Sequence, residues 1–100
     1  MLDKATSRGI RVQIRRILMT EWDPIGVDGI PEAADEYDSY IGGLYELLGQ
    51  GASEISLHAH LLGIEVDSME LVDRQGQPLL PEAKRNAAVS ALKELGRLFD

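Results

Sequence analysis

A chain of 100 residues suffices for one domain with one core, spanning 1–100, because folding at this length removes roughly two thirds of the unfolded surface from water. With 44% hydrophobic residues, 27% charged and four prolines, the composition excludes a disordered chain, and 5% aromatics makes the core aliphatic. The absence of cysteine excludes disulfides, thiolate nucleophiles and cysteine metal sites, and the net charge is −7.

The first helix is expected from about Ser7 to Glu21. Ile10, Ile14, Ile17 and Leu18 repeat at the i, i+4, i+7, i+8 spacing of one buried stripe, and Lys4, Arg8, Arg11 and Arg15 line another face with Val12 and Met19 between them. Trp22, Asp23 and Pro24 end it, because the residue before proline disfavours helical geometry and proline itself lacks an amide donor. Gly26, Gly29 and Pro31 keep the next segment irregular to about Ala34. Asp35 then reads as the N-cap of a second helix with Asp38 at N3. Tyr37, Tyr40, Ile41, Leu44 and Leu48 make its apolar stripe, and Gly49 with Gly51 closes it.

Ser53 caps a third helix running to about Asp67. It carries two apolar stripes, Ile55, Ala59, Leu62 and Val66 on one side and Leu57, Leu61 and Ile64 about 150° or more away. Such a helix is central or interfacial. Residues 73 to 81 read as a loop in preference to a short hairpin near 69–80, in which Leu71 and Val72 would pair with Leu79 and Leu80. Pro81 opens the last helix, with Ala87, Ala88, Ala91, Leu92, Leu95, Leu98 and Phe99 on one face and Asn86, Lys93 and Arg97 on the other. The fold class expected is therefore all-α, an irregular four-helix bundle.

Trp22, Asp23, Pro24, Ile25 and Gly26, followed by Asp35, Glu36, Tyr37 and Asp38, resemble the signature of a small all-helical bacterial family of unknown function. In that family a Trp-Asp-Pro-(Ile or Leu)-Gly turn precedes an Asp-Glu-Tyr-Asp helix start. The resemblance reaches to about Met69 and implies a helical fold and a bacterial source. It brings no activity, cofactor or catalytic residue.

Charge is segregated along the chain. Residues 1 to 16 carry Lys4, Arg8, Arg11, Arg15 and Arg16 against Asp3, whereas residues 17 to 73 carry thirteen carboxylates and no lysine or arginine. Such a field favours a basic partner over nucleic acid. The arginine face of the first helix is the one feature suited to phosphates, and it has a plainer reading in which the side chains pair with those carboxylates or are simply solvated. The opening residues, Met1 included, lack the uninterrupted apolar stretch of a signal peptide, so a cytoplasmic location without membrane insertion is expected.

Catalytic and metal patterns fail on spacing. An EF-hand loop starting at Asp23 would want oxygen ligands where Ile25 and Val27 stand, so Asp23 and Asp35 read as turn and cap residues, with Trp22 and Tyr37 pinning the loop to the core. His58 and His60 point about 200° apart on a helix, whereas Glu54, His58 and Glu65 share a face. No Gly-x-Ser-x-Gly elbow or phosphate loop occurs, and Gly42 and Gly43 read as close approaches or tolerated defects. The expectation is a non-enzyme without cofactor or metal: a protein–protein interaction module, immunity- or inhibitor-like, that contacts a basic protein through Glu32, Glu36, Asp38, Glu46 and the aromatic Tyr40. The alternative is a self-associating structural subunit, a homodimer through one stripe of the third helix, probed by Leu61→Glu.

Overall fold

In the computed structural model, which describes residues 2–99, the chain forms four α-helices and no strand among the described residues. Helix α1 spans Lys4–Ile17 and continues without a break into a π-helical turn, Leu18–Trp22. It starts earlier than the periodicity of isoleucines suggested, because the Asp3 carboxylate accepts the Thr6 amide at 2.7 Å and caps it. Two short 3₁₀ turns, Pro31–Ala33 and Asp38–Tyr40, lead into α2, Ile41–Gly49. Helix α3, Glu54–Gly63, begins at Ser53, whose hydroxyl accepts the Ser56 amide at 3.1 Å, and also ends in a π turn, Ile64–Ser68. Helix α4, Glu82–Leu95, runs into a final 3₁₀ turn, Gly96–Phe99.

The two π turns have the same physical effect. An i→i+5 bond, Leu18 carbonyl to Asp23 amide at 2.8 Å and Ile64 carbonyl to Met69 amide at 2.9 Å, slows the rotation of the helix in its last turn. In α1 this keeps Trp22 in line with Ile17 and turns Glu21 outward: Trp22 is fully buried and Glu21 exposed. One cluster holds the core together. Ile10, Ile14, Ile17 and Leu18 of the first helix meet Leu44 and Leu48 of α2, Leu57 and Leu61 of α3, and Ala88, Val89 and Leu92 of α4.

Several expectations are corrected by this packing. Asp35 caps no helix; it lies in a turn, and α2 begins at Ile41 because Tyr37 (φ −103°, ψ 11°) leaves helical geometry. The loop between α3 and α4 contains one isolated antiparallel bridge, Val72 with Pro78, so the hairpin forms in its shortest version. Asp73 organises it, its carboxylate accepting the amides of Gln75 and Gln77 at 2.9 Å each. Pro78 has no amide to extend the ladder. On α4 the inward residues are Arg85, Ala88, Val89 and Leu92, while Ala87 and Leu98 face water. Neither of the paired glycines is a close approach: a Cβ on Gly43 would meet His60 Nε2 at 3.5 Å, an ordinary van der Waals contact, and one on Gly42 would meet nothing within 4 Å.

Candidate interaction surface

The two short motifs meet in space. Asp23 adopts left-handed backbone geometry (φ 36°, ψ 60°), which aspartate tolerates better than most residues, and directs its carboxylate back into the following turn. Its Oδ1 accepts the Val27 amide and the Tyr37 hydroxyl, both at 2.8 Å, and Oδ2 accepts the Asp28 amide at 3.1 Å. The Tyr37 hydroxyl in turn accepts the Ile25 amide at 3.2 Å. The Tyr37 ring packs on Trp22 with centroids 5.3 Å apart, and Tyr40 meets the same indole edge-on at 6.2 Å. Trp22, Asp23, Pro24 and Tyr37 therefore form a fixed turn, and the Asp23 carboxylate is spent on two amides and the Tyr37 hydroxyl.

Burial alone would raise the Asp23 carboxyl, but the hydrogen bonds from Val27, Tyr37 and Asp28 and the charge of Lys84 outweigh it and hold the group below its usual range. Burial first, and then the adjacent Asp23 carboxylate, keeps the Tyr37 phenol protonated well above its ordinary range. A carboxyl depressed in the folded state contributes stability that is complete above its unfolded pKa, about 4, and is lost as pH falls through the lower folded value. Asp23→Asn should therefore flatten the acid limb of stability against pH. Urea midpoints measured between about pH 2 and 6 would show it, and an unchanged acid limb would remove Asp23 from that role.

Behind the turn lies a buried ion pair between α3's π turn and α4. Arg85 donates from Nε to Glu65 Oε2 at 2.8 Å, from Nη2 to Glu65 Oε1 at 2.6 Å and to the Leu80 carbonyl at 3.3 Å, while Trp22 Nε1 donates to Glu65 Oε2 at 2.8 Å. Glu65 is completely buried and Arg85 nearly so. Glu65 is thus not on a surface with Glu54 and His58. His58 instead faces Glu82 of α4, its Nε2 3.8 Å from Oε1, beyond hydrogen-bond reach. His60 lies on the other side of α3, against α2. Among the described residues no three histidine, aspartate or glutamate side chains converge to hold a metal ion.

The expected contact residues divide into two groups. Asp38 is half-buried and already paired: Arg15 Nε donates to its Oδ1 at 2.8 Å and Arg15 Nη2 to its Oδ2. Tyr40 is half-buried against Trp22. Glu32, Glu36 and Glu46 are exposed and make no ion pair among the described residues, and the same holds for Asp28 and Asp35. Comparison with known proteins finds no matching family model, curated protein or solved structure.

The basic face of α1 is partly engaged by its own chain. Besides the Arg15–Asp38 pair, the Arg11 guanidinium sits 4.3 Å above the Tyr45 ring, and Ser7 shares a 2.8 Å hydrogen bond with the Tyr45 hydroxyl. Lys4, Arg8 and Arg16 remain exposed. Among the described residues, no helix is long and apolar enough to cross a membrane.

Proposed function

We propose that the protein is an interaction module that binds a basic protein partner through the 28–36 segment and the outward face of α2. The observation that carries this reading is the division of labour among the carboxylates. Asp3, Asp23, Asp38, Glu65 and Asp73 each hold the fold together, whereas Asp28, Glu32, Asp35, Glu36 and Glu46 are exposed and make no ion pair among the described residues. Repulsion among such charges has no structural return, and a complementary positive surface would relieve it. A cytoplasmic, immunity- or inhibitor-like role against a basic bacterial nuclease is the concrete version, by analogy of charge and size alone. No catalytic role is assigned.

Glu32→Gln, Asp35→Asn and Glu36→Gln combined should abolish capture of basic proteins by the immobilised chain at low salt while leaving thermal melting unchanged. Wild-type chain that captures no basic protein at low salt would end this reading. A second reading, self-association, rests on Ile55, which is 83% exposed on α3's outer stripe with Ala59. Leu61 is fully buried, so Leu61→Glu would test the core instead. Light scattering on the wild type and on Ile55→Glu separates the readings, since only a homodimer built on that stripe would change mass.

A further inference from the structure

We propose that the groove between α3 and α4 receives a lysine side chain of a basic protein partner, its alkyl stem lying over Ile55 and Val89 and its ammonium meeting the Glu82 carboxylate beside His58. The inference shares with the reading above the basic character of the partner, and it adds a second contact surface formed by other elements.

Ile55 is the most exposed large apolar residue among those described, 83%, and it lines this groove over the buried Val89. Glu54 and His58 of α3 and Glu82 and Asn86 of α4 make the polar rim, and the volume is about 340 Å³. That is at the lower end of ligand clefts, roughly 300–1,000 Å³, and it suits one long side chain carried on a larger body.

Charge selects the occupant. No lysine or arginine lines the groove, and residues 54–68 contain none. The neighbouring cations of α4 are engaged elsewhere: Lys84 adds its charge to the Asp23 carboxylate, Arg85 is buried on Glu65, and Lys93 donates to the Ala52 carbonyl at 3.0 Å. Glu54 and Glu82 stand in the first turns of their helices, each a favoured place for a carboxylate. His58 Nε2 lies 3.8 Å from Glu82 Oε1, too far for a hydrogen bond, and it is buried with no hydrogen-bond partner among the described residues. An ammonium has three donors and can serve both the carboxylate and that nitrogen. Its flexible four-carbon stem covers apolar surface on the way to them. A phosphate-bearing partner would meet two carboxylates here. A second copy docked Ile55 to Ile55 would bring its own Glu54 and Glu82 against the same pair.

The test uses the full chain with labelled amides and two short synthetic peptides with the same number of cations. One carries lysines, and the other carries 2,4-diaminobutyrate in their place, which keeps the charge and shortens each stem by two methylenes. The lysine peptide should shift the amides of residues 54–59 and 82–90 and bind at least about fivefold more tightly, as burial of the longer stem implies. Ile55→Ser should erase that advantage, and Glu82→Gln should weaken both peptides at these amides; both sites are exposed, and a retained melting transition would verify folding. The shifts should persist in the chain carrying Glu32→Gln, Asp35→Asn and Glu36→Gln, which separates this groove from the 28–36 surface. Equal binding of the two peptides, or lysine-peptide shifts confined to 28–46, would overturn the groove and leave the 28–36 surface standing. Binding of neither peptide at low salt would end both. Affinity of 1,5-diaminopentane equal to that of the lysine peptide would give the groove to a free diamine, and a dimer by light scattering that Ile55→Ser dissociates would give it to a second copy; either overturns the proposal.

Discussion

Arg85→Met is expected to lower the unfolding free energy by about 3–5 kcal/mol, because it strands the Glu65 carboxylate in the core with one remaining polar partner, the Trp22 indole. The loss is large against the whole stability of a small domain, about 5–15 kcal/mol. Replacing both ends, Glu65→Leu with Arg85→Met, should recover much of it, since a packed apolar pair has no charge to desolvate. Urea denaturation followed by circular dichroism measures all three proteins. A single Arg85→Met cost below about 1 kcal/mol, the range of an exposed pair, would mean that water reaches Glu65 and that the pair does not clamp α3 to α4.

Trp22→Ala should be comparably damaging, about 3–5 kcal/mol, by opening a cavity where the end of the first helix meets Tyr37 and Tyr40. Trp22→Phe separates packing from hydrogen bonding: it keeps most of the apolar contact and removes only the donor to Glu65 Oε2. That substitution should cost about 1.5–3 kcal/mol, the value of a hydrogen bond to a charged group. Because Trp22 and Arg85 share one carboxylate oxygen, the cost of Trp22→Phe should change when it is introduced into Arg85→Met. Additivity of the two would show that the indole and the guanidinium act on Glu65 independently. Denaturation curves of the four proteins give the coupling directly.

The helices were legible in the sequence because their apolar residues repeat at helical spacing, and the ends governed by proline or Ser53 were legible for local steric and capping reasons. The turn at Trp22 and Asp23 was legible in outline, but the partner of Asp23 was not. The Tyr37 hydroxyl reaches it across fourteen positions, and no local pattern encodes that distance. Asp35 and Asp38 misled because two acids three apart imitate a cap and its N3 partner. Arg15 has drawn Asp38 away, and the chain enters α2 through a 3₁₀ turn.

The buried pair left a signal that charge counting overlooked. Glu65 stands four residues after Leu61 and eight after Leu57, on the inner stripe of α3, and Arg85 stands three, four and seven residues before Ala88, Val89 and Leu92 on α4. One acid and one base, each placed where an apolar residue belongs, are a complementary pair. What needed the fold was the separation of Asp38 from Glu32, Glu36 and Glu46, since the arginine that holds Asp38 lies 23 positions away.

The Glu65–Arg85 pair also bears on the order in which the molecule can be made. A nascent chain presents α1, the acidic segment and α3 before α4 has been synthesised. Until then Glu65 has no buried cation to meet, and drawing the Leu57–Leu61 stripe inward would take a bare carboxylate with it. The first three helices therefore gain little by closing on one another early. The Trp22 indole, brought to the same carboxylate by the π turn, is its one side-chain partner outside α4. Closing the core around Glu65 with its cation in place therefore requires α4.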